Sequence, residues 1–189
     1  YGIYRTPNYV YVKGSGMLSI GVPDSCKVDL RNLRQGIGLS GEDLASLEWS
    51  ENIQVKKVIT IENLTTFFRW EEPDSVLIYL GGYHNRSRRN LLMQIYQKLP
   101  DAQYYHFGDL DAGGFYILEH LKRKTGIPFQ MFQMDIETLK KYEDYAKPLT
   151  ENDKKRLMQL EKMELPDEER KLITYMLQKG IKLEQECIS

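Results

Sequence analysis

From Lys56 onward, short apolar runs rich in β-branched residues alternate with stretches of helical period, and that alternation leaves few folds open. Val58 to Glu62 reads as a strand, Leu64 to Trp70 as a short helix, Ser75 to Gly81 as a strand and Arg88 to Leu99 as a helix. The series continues with strand Gln103 to Phe107, helix Gly113 to Lys124 and strand Pro128 to Met134. Parallel neighbours need a long crossover, and these helices supply it, so the pattern predicts an α/β fold with a mostly parallel sheet flanked by helices.

Outside this core, Asn8 to Gly21 alternates apolar and polar residues around Lys13-Gly14-Ser15-Gly16 and reads as a β-hairpin. Ser40, ahead of Glu42-Asp43, is placed to cap a short helix ending near Ser50. Residues 1–55 are thus expected as a hairpin and helix appended to a domain over 56–189. That domain closes with two amphipathic helices, Thr150 to Glu161 and Pro166 to Lys179, the second stopped by Gly180.

The chain's 189 residues, 41% hydrophobic, suit one buried core. No apolar stretch approaches the roughly 18 residues that a membrane span needs, so no membrane partner is expected. Cys26 and Cys187 are the only cysteines and lack zinc-site or disulfide-framework spacing, which favours a reducing cytoplasm. A formal net charge of −1 argues against a simple DNA-binding module. It does not argue against a metal nuclease, whose acidic site lowers the sum. The start at Tyr1, without Met, predicts a fragment of a longer chain.

Chemistry concentrates in His106-Phe107-Gly108-Asp109-Leu110-Asp111-Ala112-Gly113-Gly114, between a strand and a helix. Open α/β sheets place their sites at the carboxyl ends of strands. Two carboxylates at that spacing repel each other unless a cation neutralises them, so the pair predicts a hard divalent ion of the Mg²⁺ type. Glu62 closes a similar run and reaches the same rim if the two strands are neighbours, as a ligand or as a base. The plainer roles are that Asp111 caps the following helix, that Asp109 is a turn residue and that Glu62 is an exposed strand end.

The loop Gly81-Gly82-Tyr83-His84-Asn85-Arg86-Ser87-Arg88-Arg89 follows a strand of the same set. His84, Arg86, Arg88 and Arg89 are candidates for DNA phosphates, because guanidinium matches phosphate oxygens and cations are otherwise disfavoured at a helix start. His106 and the aromatics Tyr104, Tyr105, Phe107, Phe115 and Tyr116 are expected in the core. Glu184 and Glu186 would both face the rim if Leu183 to Glu186 is extended.

The order Val58-Ile59-Thr60-Ile61-Glu62-Asn63, a second strand, then Asp109-Leu110-Asp111 and Gly113-Gly114 resembles the Toprim family of topoisomerases, primases and nucleases. Closer still, Ile61-Glu62-Asn63, Tyr79-Leu80-Gly81-Gly82-Tyr83, the segment His106 to Phe115, and Leu183-Glu184-Gln185-Glu186 resemble the carboxyl-terminal domains of the JetD family, nuclease subunits of Wadjet plasmid defence. The resemblance implies Mg²⁺ (or Mn²⁺) held by Glu62, Asp109 and Asp111, with Glu184 and Glu186 as candidates for a second ion. It also implies hydrolysis of plasmid DNA by a homodimer working beside a condensin-like SMC motor complex. Two rivals stay open. A transesterifying topoisomerase-type enzyme would need a nucleophile that none of the tyrosines is marked to be, and a non-catalytic assembly domain would bind no Mg²⁺. A haloacid dehalogenase-type phosphohydrolase also uses Asp-x-Asp, but after its first strand and followed by Thr or Val rather than Ala-Gly-Gly.

Overall fold

The computed structural model describes residues 9–21, 25–50, 55–82 and 86–188. The amino-terminal region supplies β1 (Val10–Gly14), β2 (Met17–Ile20), β3 (Cys26–Asp29), β4 (Ile37–Leu39), α1 (Gly41–Ala45) and β5 (Glu48–Trp49). The alternating part follows as β6 (Lys57–Ile61), α2 (Leu64–Arg69), β7 (Ser75–Tyr79), α3 (Arg86–Lys98), β8 (Gln103–Phe107), α4 (Ala112–Thr125) and β9 (Gln130–Met131). Then come α5 (Ile136–Lys141), β10 (Lys147–Pro148), α6 (Glu151–Leu160), α7 (Asp167–Lys179) and β11 (Ile181–Lys182). No helix among the described residues is long and apolar enough to cross a membrane.

Six strands form the principal sheet in the order β4-β1-β7-β6-β8-β9. β7, β6, β8 and β9 run parallel, and β1 is antiparallel to both of its neighbours. The expected α/β architecture with a mostly parallel sheet is therefore present. Period-2 alternation on the central strands feeds two cores, one on each face. Val58, Val76 and Ile78 pack with Leu91 and Leu92 of α3 and Leu118 of α4. Ile59, Ile61 and Leu77 pack with Phe67 of α2, Leu157 of α6 and Ile173 of α7.

Three local expectations are corrected. The strands on either side of Lys13-Gly14-Ser15-Gly16 exist, but they do not pair with each other: β1 joins β4 and β7 in the principal sheet, while β2 joins β3 and β5 in a three-stranded antiparallel one. The hairpin of this region is β2-β3. Alternation identifies a strand but not its neighbour, and Val10 and Val12, both fully buried, gain more against β7 than a two-stranded ribbon offers. The helix after Ser40 has its capping box with Asp43 but ends at Ala45, and Trp49 lies in β5, opposite Leu18. The strand expected over Pro128 to Met134 narrows to Gln130–Met131.

The switch between sheets depends on Gly14 and Gly16, at φ +106 and +132. A Cβ on Gly14 would stand 2.2 Å from the Ser75 carbonyl oxygen, an atom fixed by its bond from the Ser15 N–H at 2.6 Å. Gly14→Ala is therefore expected to lower the thermal midpoint by roughly 5 °C or more, a loss of about 2 kcal/mol or greater, read by circular dichroism.

Candidate metal centre

β6 lies between β7 and β8, and its register with β8 sets Ile61 opposite Phe107. The residues that follow the two strands leave the sheet side by side, and the Glu62 N–H donates to the Phe107 carbonyl at 3.0 Å. Parallel strands end at one edge, so Glu62, Asp109 and Asp111 share a rim with Leu80, Gly81 and Gly82, which follow β7.

Glu62 turns inward, its side chain 19% exposed. Its Oε2 is buried, stands 4.0 Å from His106 Nε2, and has no hydrogen-bond partner among the described residues. Burial first, then the charges of Asp109 and Asp111, push the Glu62 carboxyl up to about 7, against the pull of the Asp109 N–H. Gly108 leaves the necessary room: a Cβ there would sit 2.9 Å from Glu62 Oε2 and 2.7 Å from His106 Nε2.

Asp109 Oδ1 accepts the Gln185 N–H at 2.7 Å. Burial raises the Asp109 carboxyl most; the Gln185 bond opposes this, and the fields of Asp111, Glu184 and Glu186 add to it. Asp111 does cap α4, its Oδ1 accepting the Gly114 N–H at 2.9 Å. The cap engages one oxygen of the carboxylate. Gly114 has to be glycine, because a Cβ would fall 2.2 Å from the Asp109 carbonyl oxygen.

The tail returns to this rim, though not as an extended pair of glutamates. Leu183 bridges to Leu110, its N–H and carbonyl bonding at 3.1 and 2.8 Å, and Gln185–Cys187 then forms a 3-10 turn. Gln185, which the sequence reading passed over, is fully buried. Its Nε2 donates to the Phe107 carbonyl and its Oε1 accepts the Asn63 N–H, both at 2.8 Å, so one amide ties the ends of β8 and β6 together. Glu186 Oε1 accepts from Asn63 Nδ2 at 2.6 Å, and the half-exposed Glu184 pairs with Lys147 at 2.6 Å. Only a Gln set between two acids after a buried Leu hints at this in the sequence.

The cationic candidates separate. Arg86 is exposed at the start of α3. Arg88 is half-buried over the Tyr79 ring at 5.6 Å, with burial holding its guanidinium below the ordinary value. Arg89 is half-buried in the first turn of α3, near enough for its charge to act on His120 of α4. His84 lies outside the described residues. His106 is a core imidazole, as expected, with Nδ1 2.9 Å from Thr60 Oγ1.

Among the described residues, no group of three or more His, Cys, Asp and Glu side chains stands in a metal-holding arrangement. Asp109 and Asp111 each engage one oxygen with a backbone N–H, and Glu186 and Glu184 are held by Asn63 and Lys147. The donor chemistry nevertheless fits a hard cation: all the available ligand atoms are carboxylate oxygens, and Glu62 Oε2 is buried with nothing to satisfy it.

The fold and rim define an α/β domain that gathers acids where two central parallel strands end. The chain belongs to the family described as Wadjet protein JetD, C-terminal, whose model matches residues 25–189. It is 29% identical over 191 residues to the Wadjet protein JetD of Bacillus cereus (strain Q1), covering 99% of this chain and 46% of that protein. The chain thus spans about half the length of this relative.

Two predictions come from the geometry. The folded Glu62 carboxyl, near 7, lies above its unfolded value, so proton binding favours the fold: that stability is complete below about pH 4.5 and is lost as pH rises through 7. In divalent-free buffer at pH 8, Glu62→Gln is expected to raise the melting temperature by roughly 5 °C, about 2 kcal/mol, and the gain should vanish by pH 5. Gln185→Ala removes one buried and one part-buried hydrogen bond and leaves the Asn63 N–H unmatched, while the Phe107 carbonyl keeps the Glu62 N–H, so chemical denaturation should show a loss of about 2 kcal/mol.

Proposed function

We propose that the chain is the catalytic domain of a Mg²⁺-dependent DNA endonuclease of Toprim type in a Wadjet-type anti-plasmid defence system. The observation that carries this reading is the buried, unpartnered Oε2 of Glu62, set against Asp109 and Asp111 at the ends of adjacent parallel strands. Burial and neighbouring negative charge disfavour the ionised forms of Glu62 and Asp109, a cost that a cation or protons would relieve. Membership of the Wadjet protein JetD family supplies the biological setting.

Glu62, Asp109 and Asp111 are the residues that would hold Mg²⁺ or Mn²⁺, with Glu186, and more remotely Glu184, available for a second ion. Such an ion supplies Lewis-acid stabilisation of the phosphate and makes water a better nucleophile at neutral pH. The chain contributes the rest. Glu62 Oε2 is an acceptor with no hydrogen bond to give up, suited to take a proton from the attacking water. Gln185 fixes the spacing of the two strand ends, and Arg86 and Arg89 offer guanidinium groups to phosphate. The substrate is plasmid DNA in the cytoplasm, and the working assembly is a homodimer beside a condensin-like SMC motor complex.

Asp109→Asn tests the reading better than a change at Asp111, whose loss also uncaps α4. With supercoiled plasmid in Mg²⁺ or Mn²⁺, nicking by Asp109→Asn is expected to fall roughly 100-fold or more while the melting temperature stays level or rises. Wild-type cleavage rates in this variant would refute the assignment.

A further inference from the structure

The chain as a whole is balanced, with 26 Lys and Arg against 27 Asp and Glu, but that balance is not local. α3, RSRRNLLMQIYQK, contains no acid at all. α4 ends on Lys122-Arg123-Lys124, and its one acid, Glu119, is taken by Lys122 at 2.7 Å. Lys122 also reaches Glu169 of α7 at 2.5 Å, which turns it toward the other face of the sheet. Arg123 and Lys124 stay exposed.

α3 and α4 pack together on one face of the principal sheet. His120, Arg123 and Lys124 stand at i, i+3 and i+4, so they share one side of α4. Arg89 is in the first turn of α3, the helix packed against α4. Burial first, then the fields of Arg123, Lys124 and Arg89, hold the His120 imidazole below its ordinary value. Cations therefore stand at both ends of this face, Arg86 and Arg89 at the start of α3 and Arg123 and Lys124 at the carboxyl end of α4. At 1.5 Å per residue, Asp111 to Lys124 covers about 20 Å, the rise of about six base pairs of duplex.

We infer that the α3/α4 face is the track along which a duplex approaches the carboxylate rim, its phosphates held by Arg86, Arg89, Arg123 and Lys124. The inference deepens the endonuclease reading and rests on it for the occupant. The electrostatic logic is simple: an acidic rim repels phosphate when no cation is bound, so a strand has to be held from beside it. Cations at the carboxyl end of α4 also suit its dipole, but the dipole does not require Arg89 or Arg86 on the neighbouring helix.

The test measures binding without cleavage. Affinity of the protein for a fluorescent 30-base-pair duplex (about five times the track's length) is read by anisotropy in EDTA, across a salt series, for wild type, Arg123→Ala/Lys124→Ala and a control, Lys155→Ala/Lys171→Ala. The control residues are exposed on α6 and α7, over the opposite face. The α4 variant is expected to bind about tenfold more weakly at moderate salt, with the slope of log affinity against log salt reduced by about 2, and the control to match wild type. Equal losses in both variants, no loss in either, or no measurable binding by wild type would overturn the track. So would an α4 variant that keeps DNA affinity but loses binding to polyglutamate, since that assigns the face to an acidic protein. A protein that binds along the track yet never nicks plasmid would overturn the endonuclease reading alone.

Discussion

The parallel pairing of β6 with β8 is the constraint on which everything else turns. Its register puts Glu62 beside Gly108 and forces two chain segments, separated by more than forty positions in sequence, to end at the same depth in the sheet. Glu62 is thereby held within the fields of Asp109 and Asp111. Burial removes the solvent that would screen them, which is why Glu62 carries so high a carboxyl value. The fold supplies compensation in the form of backbone N–H groups from Asp109, Gln185 and Gly114, each aimed at one of the acids. Glu62 Oε2 is left over.

The carboxyl-terminal tail is part of that compensation and not an appendage. Leu183 seals against Leu110, both buried, and the Gln185 amide bridges the two strand ends beneath the acids. A tail that binds this way makes the geometry of the rim depend on residues at the far end of the chain. It also explains why Asn63, next to Glu62, has three jobs: its Oδ1 caps α2, its N–H meets Gln185 and its Nδ2 meets Glu186.

Local signals were legible wherever a single segment decided the outcome. The strands β6, β7 and β8, the capping box at Ser40, the cap at Asp111 and the stop at Gly180 all follow from residues within a few positions of one another. Where a distant partner decided, the sequence was silent. The two strands flanking Gly14 looked like a hairpin because hairpins are the cheapest local pairing, yet β1 finds its partners in β4 and β7. Trp49 looked helical because it continues the apolar pattern of Leu44 and Leu47, yet it pairs as a strand residue opposite Leu18.

By itself, the amino-acid sequence determined the α/β class, the strands β6, β7 and β8 and the acids that follow β6 and β8, because hydrophobic period and capping chemistry act over a few residues. Tertiary structure alone decided that β6 and β8 are neighbours, that Gln185 locks them, and that Arg88 lies over Tyr79. Those outcomes are set by which surfaces meet when two cores close on one sheet, and contacts across so many residues leave no periodicity in the chain to announce them.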